Sequence, residues 1–321
     1  MSILLRTTLR RGLATRTSPL RMIGRGMSTY DDDDLDDSRR KVALVLGSSG
    51  CLGSAVVQHL RKHLDLKVLG ADVVRPRDED STTTKSMDSF IHLPSGSHAT
   101  TVADISTALV EGLANTLESE EEIDAIVCAC GGWMGDPTAP KPDVPEEEFL
   151  SAVQEYSDTV HKMLEMNLYP VLAAGYAANR FMANEGLFVA IGATPALSAT
   201  PGMLAYGLSK VGVHHFVQTL GETTGKAVTT RSRRQKARRL RKNSEYLDTL
   251  SVIGILPTTL DTPNNRTQMP DADFDDWTKP MDIAKEIGVW IDTPELRPHS
   301  GSLLKVHPSK GGGGATFTLA R

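Results

Sequence analysis

Tyr206 and Lys210 stand four residues apart in the stretch Thr200-Pro201-Gly202-Met203-Leu204-Ala205-Tyr206-Gly207-Leu208-Ser209-Lys210. On a helix that spacing places both side chains on one face, one turn apart. A phenol with a pKa of about 10 is a poor acid or base at neutral pH. An ammonium beside it favours the phenolate and lowers that pKa, which makes the pair a usable proton donor for a reduction. Thr200 suits an N-cap and Pro201 the first helical position, where its missing N–H costs nothing. The helix is therefore expected to open at Pro201. Taken alone, the same spacing also describes a packed tyrosine and a solvated lysine, so its meaning depends on a second stretch far upstream.

That stretch is Val42-Ala43-Leu44-Val45-Leu46-Gly47-Ser48-Ser49-Gly50-Cys51-Leu52-Gly53. An apolar run reads as a buried parallel strand. It enters a loop with glycines at 47, 50 and 53, followed by a helical pattern through Ala55, Val56 and Leu60. Such a loop lets backbone N–H groups approach a pyrophosphate at a helix N-terminus, where the dipole favours an anion. Gly47, Ser48, Ser49, Gly50, Cys51, Leu52 and Gly53 are thus expected to hold a dinucleotide. A second strand, Leu66 to Ala71, is closed by Asp72, about 20 residues past the loop, where a carboxylate holds a ribose 2′-hydroxyl. That acid favours NADH over NADPH, whose 2′-phosphate it would repel.

The two features together resemble the short-chain dehydrogenase/reductase family, in whose Gly-x-x-x-Gly-x-Gly pattern Gly47, Gly50 and Gly53 fall. Further blocks are similar to the dihydropteridine reductases within it. They are Cys130-Gly131-Gly132-Trp133, Thr200-Pro201-Gly202-Met203 with Tyr206 and Lys210, Leu256 to Arg266, and Met269 to Phe274 with Trp277. The resemblance covers residues 40 to 307. It implies NADH-dependent reduction of a quinonoid 6,7-dihydropteridine, regenerating tetrahydrobiopterin, by a homodimer joined through its long helices. It implies that Lys210 holds the nicotinamide ribose, that Asn167 is linked to Lys210 through water, and that Gly131, Gly132, Pro257 and Thr258 border the cofactor. Trp133 reads as a flat wall for a flat pterin, and Thr259 belongs to a loop that closes over it. Most relatives place a serine about 13 residues before the tyrosine to hold a carbonyl oxygen; here Ala193 stands there, followed by Thr194. The departure speaks against a general carbonyl reductase, the first rival reading. The second is a non-catalytic nucleotide-binding protein with a basic interaction loop, against which Tyr206 and Lys210 stand.

The chain that must position these residues has 321 of them, 40% hydrophobic and 23% charged, with net charge −5. This balance gives no reason to expect a nucleic-acid partner, and no apolar run is long enough to span a membrane. Three cysteines make no disulfide framework, and zinc-ligand spacing is absent, so no metal is expected. Residues 39–308 read as one α/β domain, a doubly wound parallel sheet of the Rossmann type. Strands are expected near Ser89 to Leu93, Ile123 to Cys130, Leu187 to Ala193, Ser251 to Pro257 and Ser302 to Val306. Amphipathic helices are expected over 99–118, from Glu146 to a kink before Pro170, and over 282–291. His214 and His215 read as surface or packing residues. Residues 1–30 carry six arginines and no acid, the composition of a mitochondrial transit peptide; the alternative is a basic tail on a cytoplasmic protein. An acidic linker follows at 31–38, a basic insertion lies at 226–244, and 309–321 is expected to be a flexible tail.

Overall fold

The computed structural model describes residues 39–76, 81–96, 100–134, 145–224, 250–309 and 313–320. The presequence, the acidic linker, the prolines at 137, 140 and 142, and the basic insertion lie outside the described residues. Residues 40 to 321 form one compact unit.

Its centre is an eight-stranded sheet in the order β3-β2-β1-β4-β5-β6-β7-β8. The strands are β1 (Val42–Leu46), β2 (Lys67–Asp72), β3 (Ser89–His92), β4 (Ile123–Cys128), β5 (Met182–Ile191), β6 (Ser251–Leu256), β7 (Ser302–His307) and β8 (Thr316–Leu319). All neighbours pair in parallel except β7 and β8. The helices are α1 (Cys51–Leu64), α2 (Ser81–Lys85), α3 (Val102–Thr116), α4 (Glu146–Asn167), α5 (Tyr169–Phe181), α6 (Leu204–Thr224), α7 (Pro263–Gln268) and α8 (Pro280–Asp292).

Strand pleating explains the layers. Along β1, Val42, Leu44 and Leu46 join the cluster containing α3, α5 and α6, whereas Ala43 and Val45 join the cluster containing α1 and α8. All five are fully buried, as expected of a parallel strand covered on both faces. Strand order reverses between β1 and β4, and the carboxyl ends of these strands border the crevice where ligands bind in such sheets.

Two expectations need correction. The residues read as a flexible tail include β8, which pairs antiparallel with β7. Its Phe317 meets Trp290 edge-on at 6.0 Å, so tertiary packing orders a strand that follows a glycine run. Second, α6 opens at Leu204, not at Pro201. Thr200 to Met203 form a turn closed by Met203 N–H donating to the Thr200 carbonyl at 3.0 Å. Proline at the second position and glycine at the third, with Gly202 at φ +75°, are the signature of a type II turn. The expected kink before Pro170 is present: α4 ends at Asn167 and α5 starts at Tyr169, with Leu168 between them still in the helical region, because Pro170 cannot donate to the preceding turn.

Candidate active site

The glycine loop joins β1 to α1 at the crevice. Gly47 sits at φ +76°, and a Cβ there would fall 2.6 Å from the backbone nitrogen of Cys130. The turn therefore excludes any side chain. Gly53 packs its bare Cα against the Gly47 carbonyl, which seats the helix on the loop. No side chain caps α1, whose N-cap is Gly50, so the first-turn N–H groups remain available to an anion. Beyond the loop lies a cavity of about 470 Å³ lined by Gly47, Ser49, Gly50, Asp72, Cys130 and Gly131, among others. The Asp72 carboxylate accepts from Ser49 N–H at 2.9 Å and Val73 N–H at 2.7 Å. It is thereby fixed at the cavity wall, and the residues present fit a dinucleotide.

Not every expected loop residue points there. Ser48 is fully buried beneath Gly70 and Met87, and its Oγ has no partner. Leu52 packs into the α1–α8 core. Both hold the loop through packing, because successive side chains of a strand-to-helix turn cannot all face the ligand. Cys51 is an exposed residue whose thiol is nonetheless partly desolvated, and that desolvation, with Asp261 near it, raises its pKa. Burial pushes the Cys130 thiol up to about 12. Neither is a reactive thiolate. Among the described residues no group of His, Cys, Asp or Glu is placed to hold a metal ion.

Asn167 is fully buried. Its Oδ1 accepts from Gly132 N–H and its Nδ2 donates to the Gly132 carbonyl, both at 3.1 Å. A third bond, 3.0 Å, runs to the Met163 carbonyl one turn back. The last residue of α4 thus fastens the loop after β4. Gly131, at φ +139°, lies between Asn167 and Lys210: a Cβ there would meet Asn167 Oδ1 at 2.5 Å and Lys210 Nζ at 3.0 Å.

Tyr206 and Lys210 share one face of α6, but the ammonium does not settle on the phenol. Lys210 Nζ donates to the Ile191 carbonyl at 3.0 Å. Burial lowers its pKa to about 8. Burial raises that of Tyr206 to about 12. The expected lowering of the phenol is therefore reversed: burial alone accounts for the rise, and Tyr206 keeps its proton. The phenol is the protonated form a reduction needs, but at about 12 it is a weaker acid than a free tyrosine, so the structure does not show the activation expected of the pair. His214, one turn beyond Lys210, is buried and accepts from Ala193 N–H at 3.1 Å. It was legible only as a packing residue; the signal is its place on the stripe Tyr206, Lys210, His214, each four residues on. His215 is exposed, as read.

The substrate side gathers around the ends of β5 and β6. Thr194 donates through Oγ1 to the Leu256 carbonyl at 2.7 Å and through its N–H to Pro257 at 3.0 Å. Ala193 is buried and presents no hydroxyl. Thr258 is exposed, and the Thr259 carbonyl accepts from Thr278 N–H at 2.9 Å. The segment then turns into α7, where Arg266 grips Asp261 through two bonds of 2.6 and 2.9 Å and lies over the Phe274 ring. Trp133 stands 46% exposed and outside the lining of the dinucleotide cavity.

Comparison with known proteins places this geometry. The profile of the family described as short chain dehydrogenase matches residues 41–231. A dihydropteridine reductase of Dictyostelium discoideum is 33% identical over 266 residues, 83% of this chain and 94% of that one. Aldohexose dehydrogenase of Thermoplasma acidophilum superposes with a TM-score of 0.58 at 17% identity, covering 84% of this chain and 93% of its own. A dehydrogenase from Burkholderia cenocepacia, solved with bound NADP, gives 0.56 at 16% identity over 85% and 94%. The two structures share the fold; the family match and the Dictyostelium relative establish that this chain is an oxidoreductase of the short-chain dehydrogenase family.

Proposed function

We propose that the chain reduces a quinonoid 6,7-dihydropteridine to the tetrahydropteridine with NADH, and so regenerates tetrahydrobiopterin. The observation that carries this reading is the match to a dihydropteridine reductase along nearly the whole of that relative. The site agrees with it. A carbonyl substrate builds alkoxide charge that a hydroxyl at position 193 would hold; Ala193 supplies none. A quinonoid dihydropterin is already electrophilic and has less need of that donor.

A nicotinamide dinucleotide, when bound, supplies the hydride. Gly47 to Gly53 would hold its pyrophosphate at the open end of α1, Asp72 its adenine ribose and Lys210 its nicotinamide ribose. Tyr206 holds the proton that the reduced pterin must gain. Asn167 fixes Gly132 and the loop segment that carries Trp133, which covers the pterin. Asp72 favours NADH over NADPH by charge, and Arg75, over the Phe90 ring at 5.7 Å from its centre, is the cation close behind it in sequence that could soften that preference. Asp72→Ala is expected to narrow the NADH preference; equal efficiency with both cofactors in the wild type would end that argument.

Exposed Phe149, Val153 and Tyr156 on α4, with Leu204, Leu208 and Val211 on α6, form apolar stripes at helical spacing. They support a homodimer through these helices. We further propose that residues 1–30 direct the chain to mitochondria; a fusion of that segment to a fluorescent protein that stays in the cytoplasm would refute it. The function itself is tested by following NADH consumption with quinonoid dihydropterin beside a panel of ketones and aldehydes. Turnover of the pterin is expected. Turnover confined to the carbonyls would replace the reading with a carbonyl reductase.

A further inference from the structure

Lys210 and His214 occupy successive turns of α6, and both engage backbone at the carboxyl end of β5. Lys210 Nζ donates to the Ile191 carbonyl at 3.0 Å. Two residues on, Ala193 N–H donates to His214 Nε2 at 3.1 Å. Between them Gly192 lies so close that a Cβ would stand 2.5 Å from His214 Nε2. Its own N–H pairs with Ile255 at 2.8 Å. His214 is 5% exposed, which keeps bulk solvent from the bond it accepts. Ala193 follows directly and has no polar side-chain atom. Whatever that wall offers a substrate therefore depends on where its backbone is held.

We propose that His214 is a positioning residue for the reduction: by accepting the Ala193 N–H it fixes Ala193 against α6, while Leu256 and Pro257 hold Thr194, and so sets that wall relative to Tyr206 on the same helix. Burial, with Lys210 close by, holds the His214 pKa down to about 4. The ring thus stays an acceptor at Nε2 and carries its hydrogen on Nδ1. A charged imidazolium would have no acceptor to offer and would face the Lys210 ammonium.

The kinetic part rests on the pterin reductase reading; the structural part does not, so two readouts are taken on the full chain. Steady-state rates are measured with NADH and quinonoid dihydropterin, and hydrogen exchange is followed for the peptide holding Ala193 and Thr194. His214→Leu is expected to lower kcat about tenfold while the KM for NADH stays within about twofold, and to speed exchange at Ala193. His214→Gln, whose amide oxygen accepts the same bond, is expected to recover most of both. The neighbouring exposed His215→Leu should match the wild type. If His214→Leu does not fold, His214→Asn, too short to reach Ala193, takes its place with the same expectation. Wild-type kcat and exchange in His214→Leu would overturn the proposal, as would a His214→Gln protein no better than His214→Leu, which would make 214 a packing position. If even the wild type fails to turn over the pterin, the functional reading falls, and the exchange comparison alone decides whether His214 fixes the segment.

Discussion

At the scale of single residues, burial is the force that sets the chemistry. The two groups that carry it respond in opposite directions. Desolvation disfavours the charged form, so the Tyr206 phenol rises to about 12 and the Lys210 ammonium falls to about 8. Tyr206 therefore stays protonated across the working range, and its titration does not limit proton supply. Lys210 is cationic below about pH 8 and loses its charge as pH rises through that value. If the cation holds the nicotinamide ribose, kcat/KM for NADH is level below that point and declines above it. A profile that stays level to about pH 10, near an ordinary lysine pKa, would show that Lys210 is either not needed as a cation or not desolvated. Tyr206 and Lys210 were legible because their spacing and type announce themselves on one helix. The hydrogen bonds that Asn167 and His214 make were not legible. Their partners, Gly132 and Ala193, lie 35 and 21 residues away, and only packing brings such groups within a hydrogen bond.

At the scale of elements, the site is a set of strand ends fastened to helices. Asn167 ties α4 to the loop after β4 through both polar groups of one peptide residue. Asn167→Ala removes both bonds from that partly buried donor and acceptor, at a cost of about 1–3 kcal/mol. If the tie serves the reaction, kcat/KM falls roughly 10- to 100-fold along with thermal stability; unaltered kinetics would mean that the dock is structural only. The far edge of the sheet gives a contrasting prediction. Phe317 on β8 is half-buried against Trp290, which is itself only 2% exposed. Phe317→Ala should cost about 1–2 kcal/mol and lower Tm by a few degrees, with kcat unchanged because β8 lies at the opposite end of the strand order from β1 and β2. A loss of activity at full stability would contradict that separation. Sheet positions such as Val42 to Leu46 were readable because an apolar run between turn signals has few other uses. β8 was missed although Thr316-Phe317-Thr318-Leu319 alternates polar and apolar, because four residues behind a glycine run are too few to outweigh it. Thr200-Pro201-Gly202 was ambiguous for a different reason: threonine and proline suit a helix start and a turn equally, and glycine at the third position favours the turn.

At the scale of the whole molecule, the sheet brings three distant segments to one crevice: the loop after β1, the loop after β4 and the face of α6. Their order along the chain is what made the family recognisable, and the same order makes the helical flank available for pairing. The stripes on α4 and α6 predict a dimer in sedimentation, and Leu208→Glu with Val211→Glu should shift it toward monomer; a monomeric wild type would refute the pairing. The central claim is that this crevice reduces a quinonoid pterin with Tyr206 as proton donor. Its most direct test is the initial rate of NADH oxidation with quinonoid dihydropterin for the wild type and Tyr206→Phe side by side. Positioned acid catalysis is worth about 10²–10⁴-fold, so the wild type is expected to turn over and the variant to fall by about that factor while still binding NADH. A wild type inert toward the pterin, or a Tyr206→Phe enzyme at full rate, would contradict it.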